Sequence, residues 1–117
     1  MSNYIRGRKK EYRVKEILEG LGYHCTRASS SKGLFDIIAV NEKKVRLIQV
    51  KYTAKDKYYE DKNCKEVRKL KVPENVTKEL WVFKLGKRGY EIVELVGKEY
   101  LIHEKVKANP VQYVLAD

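Results

Sequence analysis

Asp36, Gln49 and Lys51 stand among residues typical of a core in the stretch LFDIIAVNEKKVRLIQVKY, residues 34–52. Apolar residues alternate on both sides of the charged segment NEKK, a pattern typical of a β-hairpin. If NEKK is the turn, Val40 lies opposite Val45, and the same register places Asp36 opposite Gln49. Lys51 follows on the same face, since side chains alternate along a strand. The pattern predicts a polar cluster of Asp36, Gln49 and Lys51 at one end of an apolar face.

A fourth polar residue, Glu11, lies on the predicted first helix. It precedes Val14 and Leu18 by three and seven residues, and these spacings put all three on one helix face. Its neighbours in the sequence are basic or aromatic and suit a solvent-facing side better, so the pattern turns the carboxylate toward the sheet. A structural explanation also exists, because the helix dipole favours an acid in a first turn by roughly 0.3–1 kcal/mol.

Two carboxylates, an amide and an amine together suit the hydrolysis of a phosphodiester. Carboxylate and amide oxygens are hard ligands for Mg²⁺, and an ammonium group can lie beside the attacking water. The structural alternative is an ion pair between Asp36 and Lys51 at the frayed edge of a sheet, with Gln49 hydrogen-bonded beside it. Either arrangement would compensate the cost of burying a charge.

The composition favours a polyanionic partner. The 117 residues include 26 Lys and Arg against 16 Asp and Glu, a formal net charge of +10. A lysine-rich composition of the kind found in proteins from hot habitats would raise the numbers of basic and acidic residues together. Nucleic acid rewards each cation that displaces a counterion from its phosphates, so we expect it as the partner.

The remaining composition excludes some classes of site. Cys25 and Cys64 lack the CxxC spacing of a zinc site and do not form a disulfide framework. The sequence has neither an apolar run of membrane-spanning length nor an apolar signal core, so we expect a cytoplasmic protein without a membrane partner.

Short helices and strands alternate along the predicted chain. A helix over 9–21 carries an apolar stripe of Val14, Ile17, Leu18 and Leu21. The other predicted elements are strands over 23–29, 35–40, 45–52, 79–85 and 90–95, and a helix over 60–70 that ends before Pro73. This order predicts one α/β domain over 1–117, with a central mixed sheet flanked by helices.

The polar residues resemble the motif of the PD-(D/E)xK nuclease superfamily. The segments GRKKEYRVKEILEGLGY, TRASSSKGLFDIIAV and VRLIQVKY are similar to the archaeal Holliday-junction resolvases, over residues 7–55. The positions that match the motif are Glu11, Asp36, Gln49, Val50 and Lys51. The resemblance implies a restriction-endonuclease-like fold and a DNA endonuclease that depends on Mg²⁺ or Mn²⁺.

The resemblance also implies a role for each matching residue. Glu11 and Asp36 would bind the metal together with Gln49. The backbone carbonyl of Val50 would complete the metal's ligands, and Lys51 would position or deprotonate the attacking water. Gln49 stands where an acid is more usual, which leaves the site one negative charge short and predicts weaker metal binding.

Further residues follow from the same resemblance. Ser31 matches a serine that the resolvases use on the turn after the first strand. The residues expected to contact DNA are Arg8, Lys9, Arg27, Ser31, Lys32, Lys55 and Lys57. The expected partners are DNA, as a four-way junction or another branched form, and a second copy of the chain in a homodimer.

Two other functions stay open on the sequence alone. The glutamine at the acid position suits a nuclease-fold module that binds DNA with little or no turnover. The short helix before Pro73, where the resolvases have a longer one, suits a restriction or repair nuclease of the same fold that cuts linear duplex.

Overall fold

A computed structural model of the chain describes residues 3–27, 34–54, 62–86, 89–96 and 111–112, with side chains between residues 8 and 96 of these ranges. Its elements are α1 (Asn3–Gly20), β1 (His24–Arg27), β2 (Ile37–Val40), β3 (Val45–Thr53), α2 (Lys62–Lys69), β4 (Val76–Lys84), β5 (Tyr90–Glu94) and β6 (Val111–Gln112). The predicted succession of helices and strands is confirmed up to β5. The short strand β6 follows it, in a segment for which the sequence analysis assigns no element.

All the strands join one sheet in the order β1-β2-β3-β4-β5-β6. Strands β3 and β4 are parallel, as are β5 and β6, and the other neighbours are antiparallel. The chain therefore has the predicted α/β fold, with a mixed sheet flanked by helices. No helix within the described residues is long and apolar enough to cross a membrane.

Helix α1 covers one face of the sheet. Val14 and Leu18 are fully buried against Ile37 and Ile48 of the hairpin. Burial of each of these side chains stabilises the fold by roughly 1.5–3 kcal/mol. Glu11 precedes Val14 by one helical turn, so the packing of this stripe sets how close its carboxylate lies to the sheet.

Helix α1 ends in a tight turn that returns the chain to the sheet. The N–H groups of Leu21 and Tyr23 both donate to the carbonyl of Leu18, each at 3.0 Å. Between them, Gly22 has a φ of 95°, a left-handed conformation that glycine adopts without strain. The prediction that Leu21 belongs to the apolar stripe is wrong, because it lies in this turn and is 55% exposed.

The hairpin between β2 and β3 has the predicted register, but its faces are assigned differently. Val40 pairs with Val45 as expected. The side that α1 covers carries Ile37 and Ile48, whereas Ile38 and Val40 lie on the other side and are each 40% exposed. The apolar face that the register predicts through Val40 and Val45 is therefore not the face that α1 covers.

The ladder between the two strands also ends before Asp36. Its last pair is Ile37 with Ile48, and the N–H of Asp36 donates to the Ile48 carbonyl at 2.8 Å. Asp36 and Ile37 thus both lie opposite Ile48. This is the arrangement of a β-bulge, which changes the direction of a side chain. The sequence predicts that Asp36 lies opposite Gln49 in the regular register. This prediction is wrong, because the ladder ends one residue earlier.

Helix α2 packs on the second face of the sheet. Its buried residues, Cys64 and Val67, lie in a cluster with Leu80 and Val82 of β4. Lys78 fixes the end of this helix, because its Nζ donates to the carbonyls of Arg68 and Leu70, at 3.0 and 2.6 Å. Cations at a helix C-terminus are favoured in this way.

An ion pair that the sequence analysis does not anticipate lies inside the sheet. Arg46 of β3 donates from Nε and Nη2 to the two oxygens of Glu79 in β4, at 2.8 and 2.9 Å. Thr77 and Trp81 also donate to this carboxylate, at 2.5 and 2.9 Å. The Glu79 side chain is fully buried, and these four hydrogen bonds satisfy it.

Candidate functional site

The carboxylate of Glu11 lies between α1 and the end of β1. Nε of Arg27 donates to Oε1 of Glu11 at 3.0 Å, and both side chains are largely buried. Burial raises the pKa of the Glu11 carboxyl above its usual value, and the nearby Asp36 carboxylate raises it further, against the lowering influence of Arg27. The ionised form of Glu11 is thus held at an energetic cost, which a bound cation would relieve.

The Asp36 carboxylate is held at the entrance of β2. Its Oδ2 accepts a hydrogen bond from the N–H of Val50 at 2.7 Å, so β3 fixes its direction. The bulge at Ile48 and this bond together turn the side chain out of the regular alternation. Asp36 and Glu11 come close enough for their charges to interact, although they belong to different elements.

The side chain of Gln49 is turned toward α2 and the segment before β2. Its Nε2 donates to the carbonyl of Leu34 at 2.7 Å, and its Oε1 accepts from the thiol of Cys64 at 2.8 Å. The orientation of the amide follows from its neighbours, because a carbonyl can only accept a hydrogen bond. Gln49 is 7% exposed, so both of its hydrogen bonds are shielded from water.

Cys64 is a contact of the site that the sequence analysis does not find. Cys64, like Cys25, is a buried free thiol. A signal exists in the segment KNCKEV, where Cys64 and Val67 are spaced three apart among charged residues and so mark a helix face that must be buried. The partner of that face could not be read from the spacing.

Lys51 lies on the same face of β3 as Gln49, because they are two residues apart, and it is partly exposed. Its ammonium has no hydrogen bond or ion pair with any other residue that the structure describes. The structural alternative, an ion pair of Asp36 with Lys51, is therefore not present in this structure.

Basic and aromatic side chains surround Glu11. Tyr12 is 42% exposed, with the guanidinium carbons of Arg27 and Arg8 at 4.9 and 5.8 Å from its ring centroid. A hydrogen bond with Arg8 and the charge of Arg27 lower the pKa of the Tyr12 phenol. Arg8 and Lys9, two of the predicted DNA contacts, are exposed. The sequence analysis does not single out Tyr12.

Four of the predicted residues lie outside the described part of the chain, namely Ser31, Lys32, Lys55 and Lys57. Within the described part, no three His, Cys, Asp or Glu side chains converge as a set of metal ligands. The structure thus brings Glu11 and Asp36 together beside Arg27 and places Gln49 in contacts of its own.

The donor set at Glu11 and Asp36 fits a hard divalent cation. Two carboxylates that disfavour each other's charge, next to the backbone of Val50, can provide the one or two acidic ligands with which Mg²⁺ is usually bound. The Oε1 of Gln49 accepts from the thiol of Cys64 in this structure. The geometry can therefore offer a cation two acidic ligands.

Comparison with known proteins connects this geometry to one family. The family model of the archaeal Holliday junction resolvase (Hjc) matches residues 2–75, which include all the residues of the site described above. A search of curated proteins gave no match.

Among solved structures, the fold is similar to that of Hjc, a Holliday junction resolvase from the archaeal hyperthermophile Archaeoglobus fulgidus. The two chains are 12% identical and superpose with a TM-score of 0.66, over 85% of this chain and 84% of that one. At this identity the likeness shows the fold alone. The family match, by contrast, spans more than half of the 117 residues and both carboxylates. The chain therefore belongs to the archaeal Holliday junction resolvase family, whose members are divalent-metal nucleases that act on branched DNA.

Proposed function

We propose that this protein is a Mg²⁺-dependent endonuclease of the PD-(D/E)xK type that cuts DNA at four-way junctions. The observation that carries the proposal is that Glu11 and Asp36, from separate parts of the chain, lie close enough for their charges to interact: burial raises the pKa of Glu11, and the Asp36 carboxylate raises it further. Membership of the resolvase family and the net charge of +10 support DNA as the substrate.

Each residue of the site would have a separate role in the hydrolysis of the phosphodiester. Glu11 and Asp36 hold the metal, and the backbone carbonyl of Val50 adds a neutral ligand. A bound Mg²⁺ lowers the pKa of a water molecule and stabilises negative charge on the phosphoryl oxygens. Lys51, with no partner among the described residues, is available to position or deprotonate that water for in-line attack on phosphorus.

Arg27 and Gln49 would act through the carboxylates and the backbone. Arg27 fixes the rotamer of Glu11 through one oxygen and leaves its other oxygen for a ligand. Gln49 bonds the Leu34 carbonyl and so holds the segment that leads into Asp36. In this arrangement Gln49 therefore has a structural role, since it holds the segment that precedes Asp36. Its mutation should affect stability as well as cleavage.

A second function is favoured by one specific observation. Because both ends of the Gln49 amide are engaged by Leu34 and Cys64, the third acidic ligand of a full metal site has no replacement in this arrangement. A nuclease-fold module that binds DNA with little turnover would look the same. It would bind DNA with strong salt dependence and release no product in Mg²⁺ or Mn²⁺.

The experiment that tests the proposal is a cleavage assay on defined substrates. Purified protein is incubated with labelled four-way junction, flap, nicked and linear duplex DNA, with and without Mg²⁺. We expect Mg²⁺-dependent cuts in the junction, and a loss of about 100-fold or more in Asp36→Ala or Lys51→Ala. Glu42→Ala and Lys43→Ala, exposed in the turn at the other end of the hairpin, are the matched controls.

The outcomes separate the candidates. Full Mg²⁺-dependent cleavage by Asp36→Ala or Lys51→Ala would overturn the assigned roles. Junction binding without any product favours the DNA-binding module, and cleavage of linear duplex in preference to the junction contradicts junction selectivity.

A further inference from the structure

Three aromatic residues form a row across the sheet near the end of β3. Tyr52 pairs with Phe83 of β4, and Phe83 pairs with Tyr90 of β5. The rings of Phe83 and Tyr90 lie 5.3 Å apart, and Tyr90 also stacks on Trp81 at 5.1 Å. Phe83 is buried, whereas Tyr52 and Tyr90 are partly exposed. This aromatic row is the rim of the core on the face that α1 covers.

Two cations of α1 lie over the aromatic row. Nζ of Lys10 is 5.6 Å from the ring centroid of Tyr52 and 5.4 Å from that of Phe83. Cζ of Arg13 is 5.8 Å from the centroid of Phe83 and 5.9 Å from that of Tyr90. Each cation thus spans two neighbouring rings, and both share the ring of Phe83. Their spacing of three residues puts them on one side of the helix.

The two positive charges lie over one shared ring, that of Phe83. Lys10 has no acidic partner among the residues that the structure describes. Burial lowers the pKa of the Lys10 ammonium, and the charge of Arg13 lowers it further. The charged heads themselves, Nζ of Lys10 and the guanidinium of Arg13, lie over the ring faces. An anion bound between the heads would relieve their repulsion.

The position of this pair points to the anion. Lys10 is the residue before Glu11 on α1, and Tyr52 packs on the sheet face that α1 covers, so the aromatic row lies on the same side of the sheet as α1. Lys10 and Tyr12 lie on opposite sides of the helix stripe that holds Glu11. A DNA strand with its reacting phosphate at Glu11 would therefore bring its next phosphates over one of these two sides.

We propose that Lys10 and Arg13, supported by the aromatic row, form a phosphate subsite for the DNA strand that passes through the catalytic site. The subsite rests on the proposed function for its substrate, DNA, and not on turnover. The subsite consists of these two cations and the three rings beneath them. The predicted DNA contacts at Arg8, Lys9 and Arg27 lie elsewhere on or beside α1.

The test is the salt dependence of DNA binding in the absence of divalent metal, where no cleavage occurs. Binding of a labelled four-way junction and of a labelled duplex is measured over a series of NaCl concentrations. For each phosphate contact removed, the slope of log Kobs against log salt falls by about 0.9 on duplex DNA. We expect that loss in Lys10→Gln and in Arg13→Gln, and about twice it in the double variant.

Two controls separate a phosphate contact from a structural role. Lys43→Gln removes the same charge from the turn at the far end of β3, about 25 Å away for a strand of this length, and should leave the slope unchanged. Lys10→Arg keeps the charge and should keep the slope. If Lys10→Gln and Arg13→Gln lower the melting temperature but leave the slope at the wild-type value, the cations only cover the rings and the proposal is overturned.

The same experiment separates the subsite from the proposed nuclease activity. Asp36→Ala should bind with the wild-type slope and fail to cleave. Wild-type slopes in Lys10→Gln and Arg13→Gln, together with junction cleavage by the wild type, refute this inference alone. Reduced slopes in both variants, without any cleavage by the wild type, support the subsite and refute the nuclease. Absence of salt-dependent DNA binding by the wild type overturns both.

Discussion

Replacement of Gln49 by glutamate should destabilise the fold, and by an amount that depends on pH. In the wild type, the amide nitrogen donates to the Leu34 carbonyl at 2.7 Å and the amide oxygen accepts from the Cys64 thiol at 2.8 Å. A protonated glutamic acid has the same shape and can make both hydrogen bonds, one as donor and one as acceptor. An ionised glutamate can only accept, so it faces the carbonyl oxygen without a hydrogen.

The expected loss of stability in Gln49→Glu follows from the burial of position 49. Gln49 is 7% exposed, so the lost donor is not replaced by water. An unsatisfied buried polar group costs about 1–3 kcal/mol, and burial of the charge adds to it, which gives about 2–4 kcal/mol for the ionised form. The folded-state pKa of the new carboxyl should rise, so the variant is close to wild type in stability at low pH and loses stability as the pH rises through that value.

Chemical denaturation at about pH 5 and about pH 8 measures this difference, since the usual pKa of glutamate lies near 4.3. Asn63→Asp is the matched control, because it makes the same change of amide to acid at an exposed position next to Cys64. A double-mutant cycle with Cys64→Ala reports whether Gln49 and Cys64 are coupled.

The result that would refute the reasoning is equal stability of Gln49→Glu at both pH values, relative to wild type. That outcome would mean that the side chain at position 49 is not held between Leu34 and Cys64. It would also reopen the assignment of Gln49 as a direct metal ligand, because an amide free of those contacts could turn toward Asp36.

The other predictions concern the buried ion pair and the candidate metal site. Glu79→Gln should lower the free energy of unfolding by about 3–5 kcal/mol, because it leaves the guanidinium of Arg46 buried without its counter-charge. The control Glu66→Gln, at an exposed position, should change the free energy of unfolding by less than about 0.5 kcal/mol. Equal effects of the two substitutions would contradict the burial of Glu79. Because the pKa of Glu11 is raised, Mg²⁺ binding followed by calorimetry should weaken as the pH falls through that raised value, where the carboxyl takes up a proton. Glu11→Gln should remove this pH dependence, and Mg²⁺ affinity that stays constant with pH in the wild type would argue against Glu11 as a ligand.

Local chemistry explains why the register of the hairpin could be predicted. The side chain of Asn41 accepts hydrogen bonds from the N–H groups of Lys43 and Lys44, at 2.9 and 2.7 Å, and so closes the turn by contacts within four residues. The pairing of Val40 with Val45 follows from the length of that turn.

The choice of face could not be predicted in the same way. Strand β2 reads IIAV, which is apolar at every position, so its sequence does not reveal which alternate set a helix will cover. The bulge at Asp36 then removes the last residue from the alternation on which the predicted cluster depends. The proximity of Glu11 and Asp36 is nevertheless retained, since the bulge turns Asp36 out of the alternation and leaves it close to Glu11.

Contacts between distant parts of the chain account for the remaining surprises. The burial of Arg46 depends on a partner 33 residues away, which the parallel pairing of β3 with β4 places beside it. The partner of Gln49 in α2, Cys64, is 15 residues away and reaches it only when that helix packs on the second face of the sheet. Periodicity within a single element contains no information about either contact.

The presence of glutamine at position 49 has an electrostatic consequence for the whole site. Glu11 already has a raised pKa with one carboxylate nearby, and a third acid at position 49 would add a further like charge at the entrance of the same strands. Glutamine avoids that repulsion and contributes two hydrogen bonds to the scaffold instead. A metal bound there would obtain more of its ligands from water and from substrate phosphate oxygens, as Mg²⁺ often does in phosphoryl-transfer sites. Metal binding and DNA binding should for this reason be more strongly coupled here than in a site with three acidic ligands.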